Sequence, residues 1–273
     1  MSEKRTVLVT GISTGIGHAI ANLLATKDLQ VFGTSRKPDK VSIPNVTVLP
    51  MDVDSDESVQ AGVASVLKQA GQIDVLINNA GFLVAGAVEE VTMAQARQQF
   101  ETNFFGTLRT VQAVLPHMRQ RRSGRIINIG SLTGLLAMPF WSVYDASKFA
   151  IEGFTEALRD EVKHFNIHVS LIEPGHVNGH ESGFEQNAQL GSNRIDAYDT
   201  MRERVFAKIR QDEDAGPKSA EVAALVWKVM EQKRPRLRNM IGNQVIYCRL
   251  KNWMPESTFE SAHRTYYNLD GKE

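Results

Sequence analysis

The chain is 273 residues long, 42% hydrophobic and 23% charged, with 31 basic and 31 acidic side chains. That length suits one large α/β domain, and the balanced charge excludes a global pull toward nucleic acid or an anionic membrane. The single cysteine, Cys248, excludes an internal disulfide framework and agrees with a reducing compartment.

The first residues pass almost at once into Val7-Leu8-Val9, too short for the apolar region of a signal peptide. No run approaches the roughly 20 apolar residues that span a bilayer, so a cytoplasmic protein without a membrane span is expected. Residues 6–10 form a β-branched run that stops at a glycine turn, and residues 15–25 carry helical periodicity through Ile16, Ile20, Leu23 and Leu24. Strands are expected at 30–34, 46–49 and 73–77, with a helix at 57–70. Apolar runs of this length fit strands covered on both faces. The order β-α-β-β-α-β, continued by a helix near 95–118, predicts an α/β fold, a doubly wound Rossmann-type parallel sheet.

A strand at 125–129, a long helix at 142–165 and a strand at 167–172 extend the pattern. From 176 to 216 the texture turns polar and aperiodic, so a mobile substrate loop with one or two short helices is expected over the strand ends. A helix at 220–232 and a last strand near 237–241 follow. The stretch 248–273, with Trp253, Phe259, Tyr266 and Tyr267, has no clear period and reads as a C-terminal extension. No repeat, low-complexity run or linker divides the chain, so 1–273 is read as one domain.

The turn Gly11-Ile12-Ser13-Thr14-Gly15-Ile16-Gly17 stands between a strand and a helix, where backbone N–H groups and the helix dipole face an anion. Glycine is needed where the chain turns tightly and where a pyrophosphate approaches. The spacing differs from G-x-G-x-x-G, and a glycine-rich turn without ligand is the bland alternative. No Gly-Lys-Ser/Thr occurs, which excludes a P-loop triphosphate site. The second strand ends in Gly33-Thr34-Ser35-Arg36-Lys37, with no carboxylate before Asp39. An acid there would hold a ribose 2′-hydroxyl; Arg36 and Lys37 suit a 2′-phosphate, so NADP is expected over NAD.

Tyr144 and Lys148 stand four residues apart and share one helix face. With Asn103 and Ser131 they supply the side chains needed to protonate a carbonyl while a hydride reaches its carbon. An unperturbed phenol has a pKa of about 10, and a neighbouring ammonium lowers it. Singly each residue reads as a surface pair, a cap or an ordinary polar residue; the set together reads as catalytic.

Thr10-Gly11-x3-Gly15-x-Gly17, Asn78-Asn79-Ala80-Gly81, Asn103, Ser131, Tyr144-x3-Lys148 and Pro174-Gly175 resemble the short-chain dehydrogenase/reductase superfamily, in its common single-domain subgroup. The match runs in order from residue 5 to about residue 180. The resemblance implies a seven-stranded parallel sheet, a nicotinamide cofactor and a small-molecule carbonyl or secondary-alcohol substrate. It places Asp52 and Val53 at the adenine, Asn79, Ala80 and Gly81 at the adenine ribose, and residues 174 to 177 (Pro174, Gly175, His176 and Val177) near the nicotinamide. It gives Lys148 the nicotinamide ribose, Ser131 the substrate oxygen, and Asn103 a helix irregularity with a water that links Lys148 to solvent. Members often carry a Thr four residues after the Pro-Gly glycine to hold the nicotinamide carboxamide, where this chain has Gly179. They usually pair through the helices at 95–118 and 142–165, which implies a homodimer or homotetramer.

The turn at 34–36, Pro235-Arg236-Leu237-Arg238 and the extended C-terminal part are similar to members that act on bulky lipophilic carbonyls. Alternatives are an NAD-dependent alcohol dehydrogenase of a small polar substrate and a catalytically silent NADP-binding regulator. His176 and His180, with Glu173 and Glu181 nearby, do not lie on a helical pattern and no cysteine joins them, so no metal is expected. The basic clusters 119–125 and 233–238 lack interleaved aromatics and read as solvated rather than nucleic-acid binding. Met138, Phe140, Trp141 and Val143 read equally as core or as pocket wall.

Overall fold

The structure, a computed structural model, describes residues 4–178, 188–251 and 253–270. Gly179, His180 and Glu181 lie outside the described residues. Seven parallel strands form one sheet: β1 (Arg5–Val9), β2 (Leu29–Ser35), β3 (Val46–Pro50), β4 (Val75–Asn78), β5 (Gly124–Ile129), β6 (Ile167–Pro174) and β7 (Arg238–Ile241). Their spatial order is β3-β2-β1-β4-β5-β6-β7. The order reverses between β1 and β4, and in such sheets ligands bind at the carboxyl ends of the strands at that reversal.

Among the described residues the helices are α1 (Gly15–Ala25), α2 (Asp56–Ala70), α3 (Met93–Phe100), α4 (Gly106–Arg121), α5 (Ser142–Val162), α6 (Asp199–Asp214), α7 (Ser219–Glu231), α8 (Val245–Lys251) and α9 (Glu256–Tyr266). Alternation along β1 explains the two layers. Val7 and Val9 pack with Ile20, Leu24, Val222 and Val226, so α1 and α7 cover one face. Leu8 packs with Val59, Val63, Val114 and Leu158, so α2, α4 and α5 cover the other. Local signals set the helix ends. The Ser55 hydroxyl accepts from Ser58 N–H at 3.2 Å to start α2, and Gly71 at φ 72° stops it.

Three regions differ from the sequence reading. The helix expected at 95–118 is two helices, α3 and α4, joined by a π-helical turn at Glu101–Phe105 that carries Asn103. The stretch 176–216 contains the 16-residue α6, longer than the one or two short helices expected there. Its sequence is highly charged, and only Val205, Ile209, Asp212 and Glu213 are buried. So narrow an apolar stripe leaves almost no periodic signal. The last stretch forms α8 and α9, which dock through Tyr266 and Tyr267 in an apolar cluster and through polar contacts: Lys251 Nζ donates to Leu135 O at 2.7 Å, and the His263 ring lies 3.1 Å from Ala137 O.

Candidate active site

β1 ends at Thr10, and the turn that follows is tied to the end of β4. Asn79 and Ala80 donate their backbone N–H groups to Thr10 Oγ1 at 3.0 and 3.1 Å. Asn79 Nδ2 donates to the carbonyl oxygens of Thr10 and Gly11 at 3.1 and 2.9 Å. Gly11 sits at φ 71°, and a Cβ on Gly17 would stand 2.2 Å from Gly11 O, so both positions demand glycine. No acidic residue occupies the first turn of α1, which leaves that helix end attractive to an anion. Across the turn, the hydroxyls of Ser13 and Ser35 lie 2.9 Å apart, and Lys37 N–H donates to Ser35 Oγ at 3.0 Å.

A cleft of about 830 Å³ runs from this turn along the strand ends. Gly11, Ser13, Thr14, Ile16 and Gly17 border it at one end, with Ser35, Arg36, Asp52 and Val53. Asn79, Ala80 and Gly81 follow, then Ser131, Tyr144, Lys148, Pro174, Gly175 and Val177. Lys37, named with Arg36 for the 2′-phosphate, is not on its wall, nor are Gly15 and Asn103. Gly15 sits behind the turn at φ 60°, opening α1. Asn103 is 2% exposed. Its Oδ1 accepts from Phe82 N–H at 3.0 Å, and its Nδ2 donates to Phe82 O and Ser147 Oγ at 3.0 and 3.2 Å. The amide is committed to fastening the π-helical turn to the backbone at Phe82 and to α5.

Tyr144 and Lys148 occupy successive turns of one face of α5, both buried. Lys148 Nζ donates to Ile129 O at 2.9 Å and stands 5.6 Å from the centre of the Tyr144 ring. Ser131, at the end of β5, gives Tyr144 a hydrogen bond, with Pro174 O at 3.4 Å as a competing acceptor. Ser131 Oγ itself accepts from Thr133 N–H at 3.1 Å. Burial pushes the phenol above its ordinary value, against the Ser131 hydrogen bond and helped by Asp145. In the chain by itself desolvation, not the neighbouring ammonium, sets the direction of the shift. Burial also lowers Lys148 to about 8, with Glu152 opposing.

Behind this set lies a buried acid pair. Glu152 accepts from Arg238 Nε at 2.9 Å, while neither Glu173 oxygen has a hydrogen-bond partner at bonding geometry. Burial and the neighbouring Glu152 push Glu173 up to about 8. The basic clusters also have partners rather than only solvent. Arg121 pairs with Asp74 at 2.8 Å, Arg125 donates to Val229 O and Gln232 O at the end of α7, and Arg238 bridges Glu152 and Glu156.

Met138 and Trp141 border the cleft; Phe140 is buried beside them, and Val143 is half-buried off the wall. His176, within the 174–177 stretch expected near the nicotinamide, and Tyr267, one of the tail aromatics, both border the cleft. Among the wall residues that sequence reasoning did not single out are Glu213 of α6 and Gln244 before α8. Neither carries a local signal, because they reach the cleft only when α6 and α8 fold over it. Among the described residues no helix is long and apolar enough to cross a membrane, and no three His, Cys, Asp or Glu side chains cluster as a metal site.

A glycine turn at the sheet's reversal point, facing a buried Ser-Tyr-Lys set, defines a Rossmann-type dehydrogenase class. The chain belongs to the short chain dehydrogenase family, whose model matches residues 5–189. It is 37% identical over 272 residues to a 3-ketodihydrosphingosine reductase of Bacteroides thetaiotaomicron, covering 98% of this chain and 99% of that one. It is 38% identical to retinol dehydrogenase 8 of Bos taurus, over 86% of this chain and 80% of that protein. A short-chain dehydrogenase from Streptomyces avermitilis superposes with a TM-score of 0.84 at 29% identity, covering 99% of this chain and 98% of that one.

Proposed function

We propose that the chain is an NADP(H)-dependent oxidoreductase that interconverts a carbonyl and a secondary alcohol, with Tyr144 as general acid and base, on a lipophilic substrate. One observation carries this reading: the Ser131 hydroxyl, the Tyr144 phenol and the Lys148 amine converge in the same cleft that begins at the glycine turn. The cleft fits a nicotinamide dinucleotide. The open N-terminal end of α1 suits its pyrophosphate, and Arg36 on the wall suits a 2′-phosphate. Bound there, a reduced nicotinamide supplies the hydride. Ser131 then offers its hydroxyl to the carbonyl oxygen, and Tyr144 gives that oxygen its proton. Burial raises the phenol, so it stands protonated at neutral pH as the donor this step needs. In the reverse direction the charge on Lys148 favours the phenolate. Asn103 acts as a positioning residue through Ser147 and Phe82.

The substrate reading draws on the apolar wall of Leu136, Met138 and Trp141 and on the relative named for a long-chain ketone. The stretch 176–216 then covers the substrate and 248–273 closes over it, within one domain spanning 1–273. A cytoplasmic homodimer or homotetramer completes the reading. Its contacts would run through α4 and α5, beside which Phe105 and Phe149 are each 42% exposed. The test is NADPH oxidation against a panel of long-chain ketones, with NADH in parallel. Faster turnover with NADPH is expected; a preference for NADH overturns the assignment of Arg36, and no turnover with either leaves a silent nucleotide-binding protein.

A further inference from the structure

The Ser131 hydroxyl is fixed from behind by groups that proton transfer itself does not use. Ser131 opens a short turn, Leu132–Gly134, and a Cβ on Gly134 would stand 2.9 Å from Lys148 O. The turn therefore lies directly on α5. Thr133, 6% exposed, aims two donors at one atom: its backbone N–H and its hydroxyl both give hydrogen bonds to Ser131 Oγ at 3.1 Å. A hydroxyl has two lone pairs and one proton. With both lone pairs engaged, Ser131 joins a further bond only by giving its own proton. Its acceptors in the chain are the Tyr144 oxygen and, at 3.4 Å, Pro174 O.

The Thr133 hydroxyl also interacts with the carboxyl group of Asp145, which is 1% exposed in the first turn of α5. Asp145 Oδ2 accepts from Met138 N–H at 2.7 Å, while Oδ1 has no partner at bonding geometry. Burial pushes this acid up to about 8, against the Met138 and Thr133 hydrogen bonds, so at neutral pH it holds a proton. An orphaned buried oxygen beside a hydroxyl is satisfied when it carries that proton and the hydroxyl accepts it. An ionised Asp145 would instead draw the Thr133 proton to itself and free a lone pair on Ser131. Ser131 would then accept the Tyr144 proton, and the two hydroxyls needed by a carbonyl oxygen would be tied to each other.

We propose that Asp145 and Thr133 are positioning residues that hold Ser131 as a hydrogen-bond donor, in the order Asp145 Oδ1–H to Thr133 Oγ1, Thr133 Oγ1–H to Ser131 Oγ, and Ser131 Oγ–H to the substrate oxygen. This rests on the carbonyl-reducing activity proposed above. Only Tyr144 gives up its proton; the other three protons stay on their oxygens. A donor already aimed at the developing charge needs no reorientation during the reaction, so the effect falls on kcat.

The experiment follows NADPH oxidation with a plain long-chain ketone and with acetophenone, and measures the NADPH Kd separately by fluorescence titration. Thr133→Val should lower kcat by about tenfold with KM and the NADPH Kd unchanged, and Thr133→Ser should restore the rate. Asp145→Ala should lower kcat in the same way. Asp145→Asn keeps an acceptor for Met138 N–H and offers an amide proton to Thr133, so it should restore the rate. The decisive comparison is a double variant. Ser131→Ala is expected to lower kcat by about 10²-fold, and adding Thr133→Val to it should change nothing further. Multiplying losses would mean that Thr133 acts independently of Ser131, which overturns the proposal while leaving the reductase intact. A raised NADPH Kd or ketone KM in Thr133→Val assigns that hydroxyl to a ligand and likewise overturns it. Equal losses in Asp145→Asn and Asp145→Ala reject the direction of the chain. Retained NADPH binding shows that a variant is folded; if Asp145→Ala does not fold, Asp145→Asn and the double variant decide. Failure of the wild type on every carbonyl sinks the reductase reading and this proposal with it.

Discussion

The two ends of the cleft are built in different ways. At the β1–α1 end one short turn, 11–17, lends Gly11, Ser13, Thr14, Ile16 and Gly17 to the wall, and Asn79 ties the turn down through the carbonyls of Thr10 and Gly11. At the other end Tyr144, His176, Glu213, Gln244 and Tyr267 come from five separate segments. They meet through an apolar cluster in which Val205 and Ile209 of α6 pack on Met138, Phe140, Trp141 and Tyr267. A backbone-made site survives as a string in the sequence, whereas a side-chain-made pocket exists only when distant elements pack. The first end can therefore be damaged by one local change, and the second can be loosened from afar.

The largest break should come at the centre of the contrast. Tyr144→Phe is expected to cut kcat by about 10³-fold, the range of a lost general acid, while NADPH binding stays near wild type. Surviving turnover would mean that the phenol is not the proton donor. Ile209→Ala, in a residue 4% exposed, should lower stability by about 3 kcal/mol and loosen the cover formed by α6. Thermal unfolding would report the loss; a raised ketone KM with an unchanged NADPH Kd would show that the two ends are separable. Arg36→Leu attacks the nucleotide end alone, with an expected rise of about tenfold in the Kd for NADPH and none for NADH.

The smallest effect concerns the acid pair behind Lys148. Glu173 is raised from 4.5 to about 8 by burial and by Glu152, so between those values the folded state binds more protons than the unfolded chain. Stability through this group falls as pH rises across that window. Glu173→Gln should flatten the decline in Tm between pH 5 and pH 8; an unchanged slope would assign it to other groups.

The parallel sheet was legible because each strand is a short apolar run and each covering helix has a broad buried stripe. Asn103, Ser131, Tyr144 and Lys148 were legible as residue types at set spacings. The sequence did not reveal that burial, rather than the neighbouring ammonium, governs the Tyr144 phenol, nor that Asn103 spends its amide on Phe82 and Ser147. It also did not give the length or position of α6, whose charged surface hides a stripe of two aliphatic residues.

Periodicity and glycine placement, read along the chain alone, determined the layered architecture, the nucleotide turn and the shared helix face of Tyr144 and Lys148. Those features depend on residues within a few turns of one another, and their physics is local. Only the tertiary structure decided which groups surround the phenol, how deeply they are desolvated, and that an unpaired amide from position 244 stands against Gly175. Dielectric environment and hydrogen-bond satisfaction are sums over everything packed nearby, and no stretch of sequence contains that sum.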